Sequence, residues 1–191
     1  MPKKIIIGLG CKRLRGKDTA AKMLTFILQE RGHDVRMDAF ALTLKDVCRI
    51  VFGFTDDQMN TPEGKAAKDP FWGFTPRWAL QTVGTEAFRQ QIDRNIWVKV
   101  LQRRYQQHPQ SVVVTDIRFK NEVNMIKDMG GHVIRVDRDI PFDDSKDHHA
   151  SECSLDDFDE WDYVVSNNST LDFLGLQLRN IVNGMAKAGR L

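Results

Sequence analysis

A chain of 191 residues with 41% hydrophobic content is long enough for one well-cored domain and too apolar for a disordered chain. Its 28 lysines and arginines nearly balance 26 acidic residues and are scattered along the chain, which argues against generic binding of duplex nucleic acid. Cys11, Cys48 and Cys153 lie far apart without metal-type spacing, which argues against a disulfide framework or a zinc site and for a reduced setting.

Residues 4–9 read as a short buried strand, followed by GLGCKRLRGKDTAA and then by a helix over 17–31 with apolar Ala20, Ala21, Leu24, Ile27 and Leu28 on one face. HDVRMDAF predicts a second strand ending near Asp38, and ALTLKDVCRIVFGF a helix. From Thr55 to Phe74 the period dissolves among charges, Gly and Pro, with Phe71 and Trp72 embedded, as in a ligand-covering segment. Thr75 as N-cap and Pro76 at the first helical position open the helix RWALQTVGTEAFRQQI, and IWVKVLQRRYQQ forms another. SVVVTD is a β-branched run suited to a strand buried on both faces, and NEVNMIKDMGG a helix closed by glycine. HVIRVDR is a further strand, residues 139–153 a polar loop or lid, DYVVSN a strand and TLDFLGLQLRNIVNGM the last helix. Strands alternating with helices predict an α/β fold, a mostly parallel sheet with helices on both faces and its ligand site at the carboxyl ends of the strands.

The strand, glycine loop and helix at the start form a phosphate-binding arrangement, in which backbone N–H groups and the helix N-terminus surround phosphates and a lysine neutralises them. Gly16, Lys17 and Thr19 are placed for those tasks. Gly10 to Gly16 holds one residue more than the G-x-x-x-x-G-K-[ST] spacing, and the extra residue falls in Lys12-Arg13-Leu14-Arg15. Asp18 replaces the usual hydroxyl and offers a carboxylate to Mg²⁺, directly or through its water shell. Asp116, near the end of a buried strand, is a second acidic candidate, strengthened by Arg118 two residues on. Arg138, at the end of the next strand, is a candidate for touching phosphate, whereas Arg135 reads as a solvated charge. His148 and His149 are too isolated for a metal site. Arg77, Gln81, Thr85 and Arg89 recur every four residues and place two guanidiniums, an amide and a hydroxyl on one helix face. Arg77 and Arg89 are twelve residues apart, a little over three turns, so both can grip one phosphate only if the helix breaks at Gly84.

GKDT, FALTLK, TPRWALQTVGTEAFR with Trp97 beyond it, TDIRFKNEV, HHASE and NNSTLDFL, in that order, resemble the phage deoxynucleoside monophosphate kinases. The resemblance covers most of the chain. It implies a P-loop kinase fold with a central parallel sheet of about five strands, all in a single domain over 1–191. A monophosphate-binding helical region would span about 40–108 and a lid about 139–153. The implied reaction carries the γ-phosphoryl group of ATP, with Mg²⁺, to a deoxynucleoside monophosphate. The resemblance assigns Lys17, Asp18 and Thr19 to ATP and magnesium, Arg77, Gln81 and Arg89 to the acceptor, and Asp116 and Arg118 to the transferring phosphate. The residue pattern adds Arg15 and Gly16 for ATP, Asp116 beside Asp18 for the metal, Lys17 and Arg138 for the transferring phosphate, and Thr85 and Trp72 for the acceptor. The loop departs from the family's usual KRSGKDT form in length and in having Arg15 before Gly16. Rival readings are a dephospho-coenzyme A or phosphomevalonate kinase of the same fold, or a nucleotide switch. No segment reaches the ~20 apolar residues of a membrane span and the apolar stretch of MPKKIIIGLGCKR is too short for a signal peptide, so the expected location is cytoplasmic, in a host cell if the chain is of phage origin. A homodimer is left open.

Overall fold

The computed structural model describes residues 4–11, 15–139 and 154–191. The chain forms two compact units, one from the segments up to Ala39 and from Gln102 to Leu191, the other from Phe40 to Leu101.

The first unit is built on five strands, β1 (Ile6–Gly10), β2 (Val35–Asp38), β3 (Ser111–Ile117), β4 (His132–Asp137) and β5 (Tyr163–Ser166). They are parallel throughout and ordered β2-β3-β1-β4-β5. Parallel strands need helical crossovers, which cover both faces and require near-continuous apolar strands. Accordingly β1 is buried at every residue. On one face Ile5, Ile7, Leu9, Val113, Ile134 and Val165 form a single core with Ala20, Ala21, Leu24, Ile27 and Leu28 of α1 (Lys17–Glu30). Leu174, Leu178, Val182 and Met185 of the C-terminal helix (Leu171–Lys187) complete that core. The helix Lys120–Asp128 packs on β1 and β4, and its Ile126 reaches the opposite face of β1 beside Gly8.

The second unit is helical. It contains α2 (Ala41–Phe52), α3 (Asp56–Asn60), α4 (Pro62–Ala66) and α5 (Pro76–Gln81), which runs on into a π-helical stretch, Thr82–Arg89. The helix α6 (Ile96–Gln107) then carries the chain back to the first unit, so the helices Lys120–Asp128 and Leu171–Lys187 are α7 and α8.

Two expectations are corrected. The segment 55–74 is not without regular structure: Thr55 and Gln58 form a reciprocal capping box that starts α3, and Thr61 before Pro62 starts α4. Each of these helices is one turn long, too short for an apolar period to register. Nor does the helix opened by Thr75 break at Gly84; its winding changes from α to π instead. Beyond Asp139 the proposed lid, with His148 and His149, lies outside the described residues. Among the described residues no helix is long and apolar enough to cross a membrane.

Candidate active site

Neighbouring strands β1 and β3 are followed by helices, α1 and α7, that cover opposite faces of the sheet. Such a switch point opens a crevice at the strands' carboxyl ends, where α/β sheets bind ligands. Gly10, the last residue of β1, is paired with Ile117, the last residue of β3. Asp116 and Arg118, both half-buried, flank Ile117 and therefore stand beside the start of the phosphate loop. The register shifts between Gly8, opposite Val114, and Gly10, opposite Ile117, so β3 uses one residue more than β1 here. The extra residue falls in Thr115-Asp116. Bulges of this kind re-aim side chains and are frequent beside active sites.

The thiol of Cys11 reports that the two segments converge. Burial pushes its pKa up, while the charges of Lys17 and Arg118 and a hydrogen bond from the Lys17 backbone N–H pull the other way, with Asp18 adding a smaller upward push. One side chain thus feels the cations of both the loop and the β3 end.

Gly16 is the N-cap of α1, with φ 87° and ψ 20°, the left-handed region that side-chain-bearing residues avoid. Among the described residues no side chain caps this helix, so the N–H groups of its first turn and its positive dipole end form a ready anion site. Lys17, Asp18 and Thr19 occupy that turn. Lys17 Nζ donates to Asp18 Oδ1 at 2.7 Å; the lysine side chain is largely covered, the aspartate 76% exposed. Arg15 lies 3.8 Å from Asp137 at the end of β4, and Asp137 accepts from Arg135 Nε at 2.8 Å, so Arg135 has a partner instead of being merely solvated. Arg138 follows β4 and is exposed. Lys12, Arg13 and Leu14, which hold the extra loop residue, lie outside the described residues.

Three polar residues that the motifs did not single out support this end of the sheet. Glu122, 1% exposed, accepts from the backbone N–H groups of Arg118 (2.7 Å) and Phe119 (3.1 Å) and so fixes the peptide carrying Arg118. A glutamate in the first turn of α7 is a capping signal that could have identified it. Asp38, 4% exposed at the end of β2, accepts from Arg36 at 2.6 Å, Arg104 at 2.7 Å and the Ala39 N–H at 2.7 Å. Burial pushes its pKa up, but these bonds and the Arg104 charge outweigh that and hold it below the usual value. Asn167, one residue past β5, is buried, and its amide donates to the Arg15 carbonyl at 3.0 Å.

In the second unit Arg77, Gln81, Thr85 and Arg89 are all half-buried, while Trp78 is 51% exposed. The polar stripe is therefore half-buried, while the neighbouring Trp78 lies in the open. A four-residue step in an α-helix overshoots a full turn by about 40°, so three steps would spread the stripe over about 120°. In the wider i→i+5 winding, roughly 4.4 residues per turn, the same step falls short by about 30°. Arg77 to Gln81 is one step of the first kind and Gln81 to Arg89 two of the second, and the deviations cancel to within about 30°. The π stretch is what places the stripe on one line. Its Gln90 N–H bonds to the Thr85 carbonyl, and the Gly84 carbonyl also accepts from the buried Trp97 indole at 2.9 Å. A Cβ at Gly84 would come 2.6 Å from Leu44 of α2, so glycine allows α2 to pack against this backbone. Trp72 belongs to an aromatic group with Phe52, Phe71 and Phe74, and its indole N–H donates to the Phe52 carbonyl at 2.8 Å.

The model of the family described as deoxynucleotide monophosphate kinase matches residues 65–177. A protein of Acanthamoeba polyphaga mimivirus named a putative deoxynucleotide monophosphate kinase is 33% identical over 96% of this chain and 98% of its own length. The deoxynucleotide monophosphate kinase of Escherichia phage RB69 is 32% identical over 56% of this chain and 44% of its own. Among solved structures, the Mycobacterium tuberculosis APS kinase CysC in complex with AMPPNP and APS is 10% identical, with a TM-score of 0.47 over 97% of this chain and 99% of that one.

Proposed function

Since the chain belongs to the deoxynucleotide monophosphate kinase family, we propose that it transfers the γ-phosphoryl group of ATP to a deoxynucleoside monophosphate. The observation that carries this reading is the convergence, at the β1/β3 switch point, of an uncapped helix N-terminus, Lys17, and the Asp116 and Arg118 pair. In-line phosphoryl transfer asks little covalent chemistry of the protein and much positioning and charge stabilisation. The first-turn N–H groups of α1, with Gly16, Lys17 and Thr19, bind the ATP phosphates. Arg15 extends the positive field over them. Lys17, Arg118 and Arg138 stabilise charge on the transferring group, with Asp116 beside them.

Asp18, Thr19 and Asp116 form an oxygen-only donor set. That suits Mg²⁺, which takes one or two carboxylates and completes its shell with water and substrate phosphate. These residues would hold the ion, which when bound supplies charge neutralisation to the phosphate oxygens. Residues 40–108 form the acceptor region. In it the aligned stripe of Arg77, Gln81, Thr85 and Arg89 serves the acceptor, one arginine holding the monophosphate by paired hydrogen bonds and the other stabilising charge as transfer proceeds, and Trp72 contributes apolar surface.

The test is a coupled ADP-release assay over the deoxy- and ribonucleoside monophosphates, with dephospho-coenzyme A and phosphomevalonate as competing acceptors. Release that depends on a deoxynucleoside monophosphate supports the reading. Release that depends on another acceptor, or on none, contradicts it.

A further inference from the structure

Asn167 stands at the first position beyond β5, and its environment points toward the phosphate loop. The residue is 9% exposed, its backbone N–H donates to the Asp137 carbonyl at 2.7 Å, and its side-chain amide donates to the Arg15 carbonyl at 3.0 Å. The same amide nitrogen would lie 2.2 Å from a Cβ placed on Gly16. The side chain therefore rests against the left-handed residue that turns the loop into α1. Arg15 is approached from two strand ends at once, through its carbonyl by Asn167 and through its guanidinium by Asp137. Among the described residues, no side chain caps this turn.

We infer that Asn167 is a positioning residue for ATP. By holding the Arg15 carbonyl, it fixes the peptide plane between Arg15 and Gly16. With that plane fixed, the left-handed Gly16 and the helical residues after it turn successive N–H groups into one concavity, the arrangement that binds phosphate oxygens. Without the bond the peptide is free to rotate and the anion site must be reassembled at each binding event, which weakens ATP binding through lost preorganisation. Asparagine suits the place because the amide supplies an N–H donor without charge, whereas a carboxylate there would face both the Arg15 carbonyl and the phosphates. The inference rests on the phosphate-loop reading above.

The experiment measures Asn167→Ala and Asn167→Ser beside Lys17→Ala, with ATP and acceptor varied separately, equilibrium binding of a non-hydrolysable ATP analogue, and thermal unfolding of the ligand-free protein. The inference expects Asn167→Ala to raise KM for ATP and the analogue's Kd at least tenfold, with acceptor KM within twofold. Asn167→Ser, which keeps a shorter donor, should fall between it and the parent. A folded Asn167→Ala protein with ATP KM and Kd within twofold of the parent overturns the inference, and so does loss of the folded transition in both variants, which would make Asn167 a packing element of the sheet. If Lys17→Ala leaves ATP binding and turnover intact, the phosphate-loop reading itself fails. A Lys17→Ala defect beside unchanged Asn167→Ala kinetics removes only the role of Asn167.

Discussion

Lys17 and Asp18 are adjacent in sequence and paired in space, and ATP must change that. An ion pair with one partner 76% exposed is weak, in the range of about 0–1 kcal/mol, so in the function proposed above an incoming phosphate would take the lysine and leave the aspartate for Mg²⁺. Lys17→Ala is expected to keep the fold, since the side chain serves no apolar core, and to lower kcat/KM by about a thousandfold through lost charge stabilisation. Circular dichroism with steady-state kinetics checks both halves, and near-normal turnover would remove the loop from the reaction. Asp18→Asn should shift the Mg²⁺ titration of activity to higher concentration while changing ATP binding less. An unchanged titration assigns the ion to Asp116 and the substrates. Lys17, Asp18 and Thr19 were legible because strand, glycine and helix cues coincide around them. Glu122 was legible only as a first-turn capping glutamate, whereas Asn167 was not legible at all: its partner is the Arg15 carbonyl, 152 positions away, and no spacing rule registers such a contact.

At the scale of elements, the five strands and the helices between them were readable because buried parallel strands and amphipathic helices each leave a periodic trace. The one-turn helices α3 and α4 escaped because they are shorter than that period. The π stretch escaped for a different reason: its signal is a four-residue repeat, which reads as an α-helical face unless the accumulated drift is counted. Since the helix continues through Gly84, Arg77 and Arg89 sit on one line but more than two turns apart, and one phosphate cannot occupy both. Their roles should therefore differ. Arg89→Ala is expected to raise acceptor KM tenfold or more, consistent with the ~1.5–3 kcal/mol of a hydrogen bond to a charged group, and Arg77→Ala chiefly to lower kcat. Kinetics with each substrate varied separately decide the assignment. If neither variant changes acceptor KM or kcat, the stripe has no part in acceptor binding.

At the scale of the whole molecule, the chain leaves the first unit after Ala39 and returns at Gln102, and both crossing points are tied within that unit by Arg104, which bonds the Asp38 carboxylate and the Ala39 carbonyl. Removing Asp38 takes the shared carboxylate from Arg36 and Arg104, and Asp38→Ala should cost about 3 kcal/mol in denaturant unfolding. The folded-state pKa of Asp38 is lowered from 3.8, so its contribution is full above that value and is lost as pH falls through the lower folded pKa. Asp38→Asn should accordingly flatten the acid side of the stability profile and leave the neutral-to-basic side parallel to the parent's. The central claim is that the γ-phosphoryl group goes to a nucleotide acceptor and not to water. The direct measurement follows the label from γ-labelled ATP with Mg²⁺ in the presence and absence of each deoxynucleoside monophosphate. The account predicts label in the deoxynucleoside diphosphate, formed only when acceptor is present and lost in Lys17→Ala. Label appearing in inorganic phosphate, at a rate indifferent to every monophosphate, would contradict it.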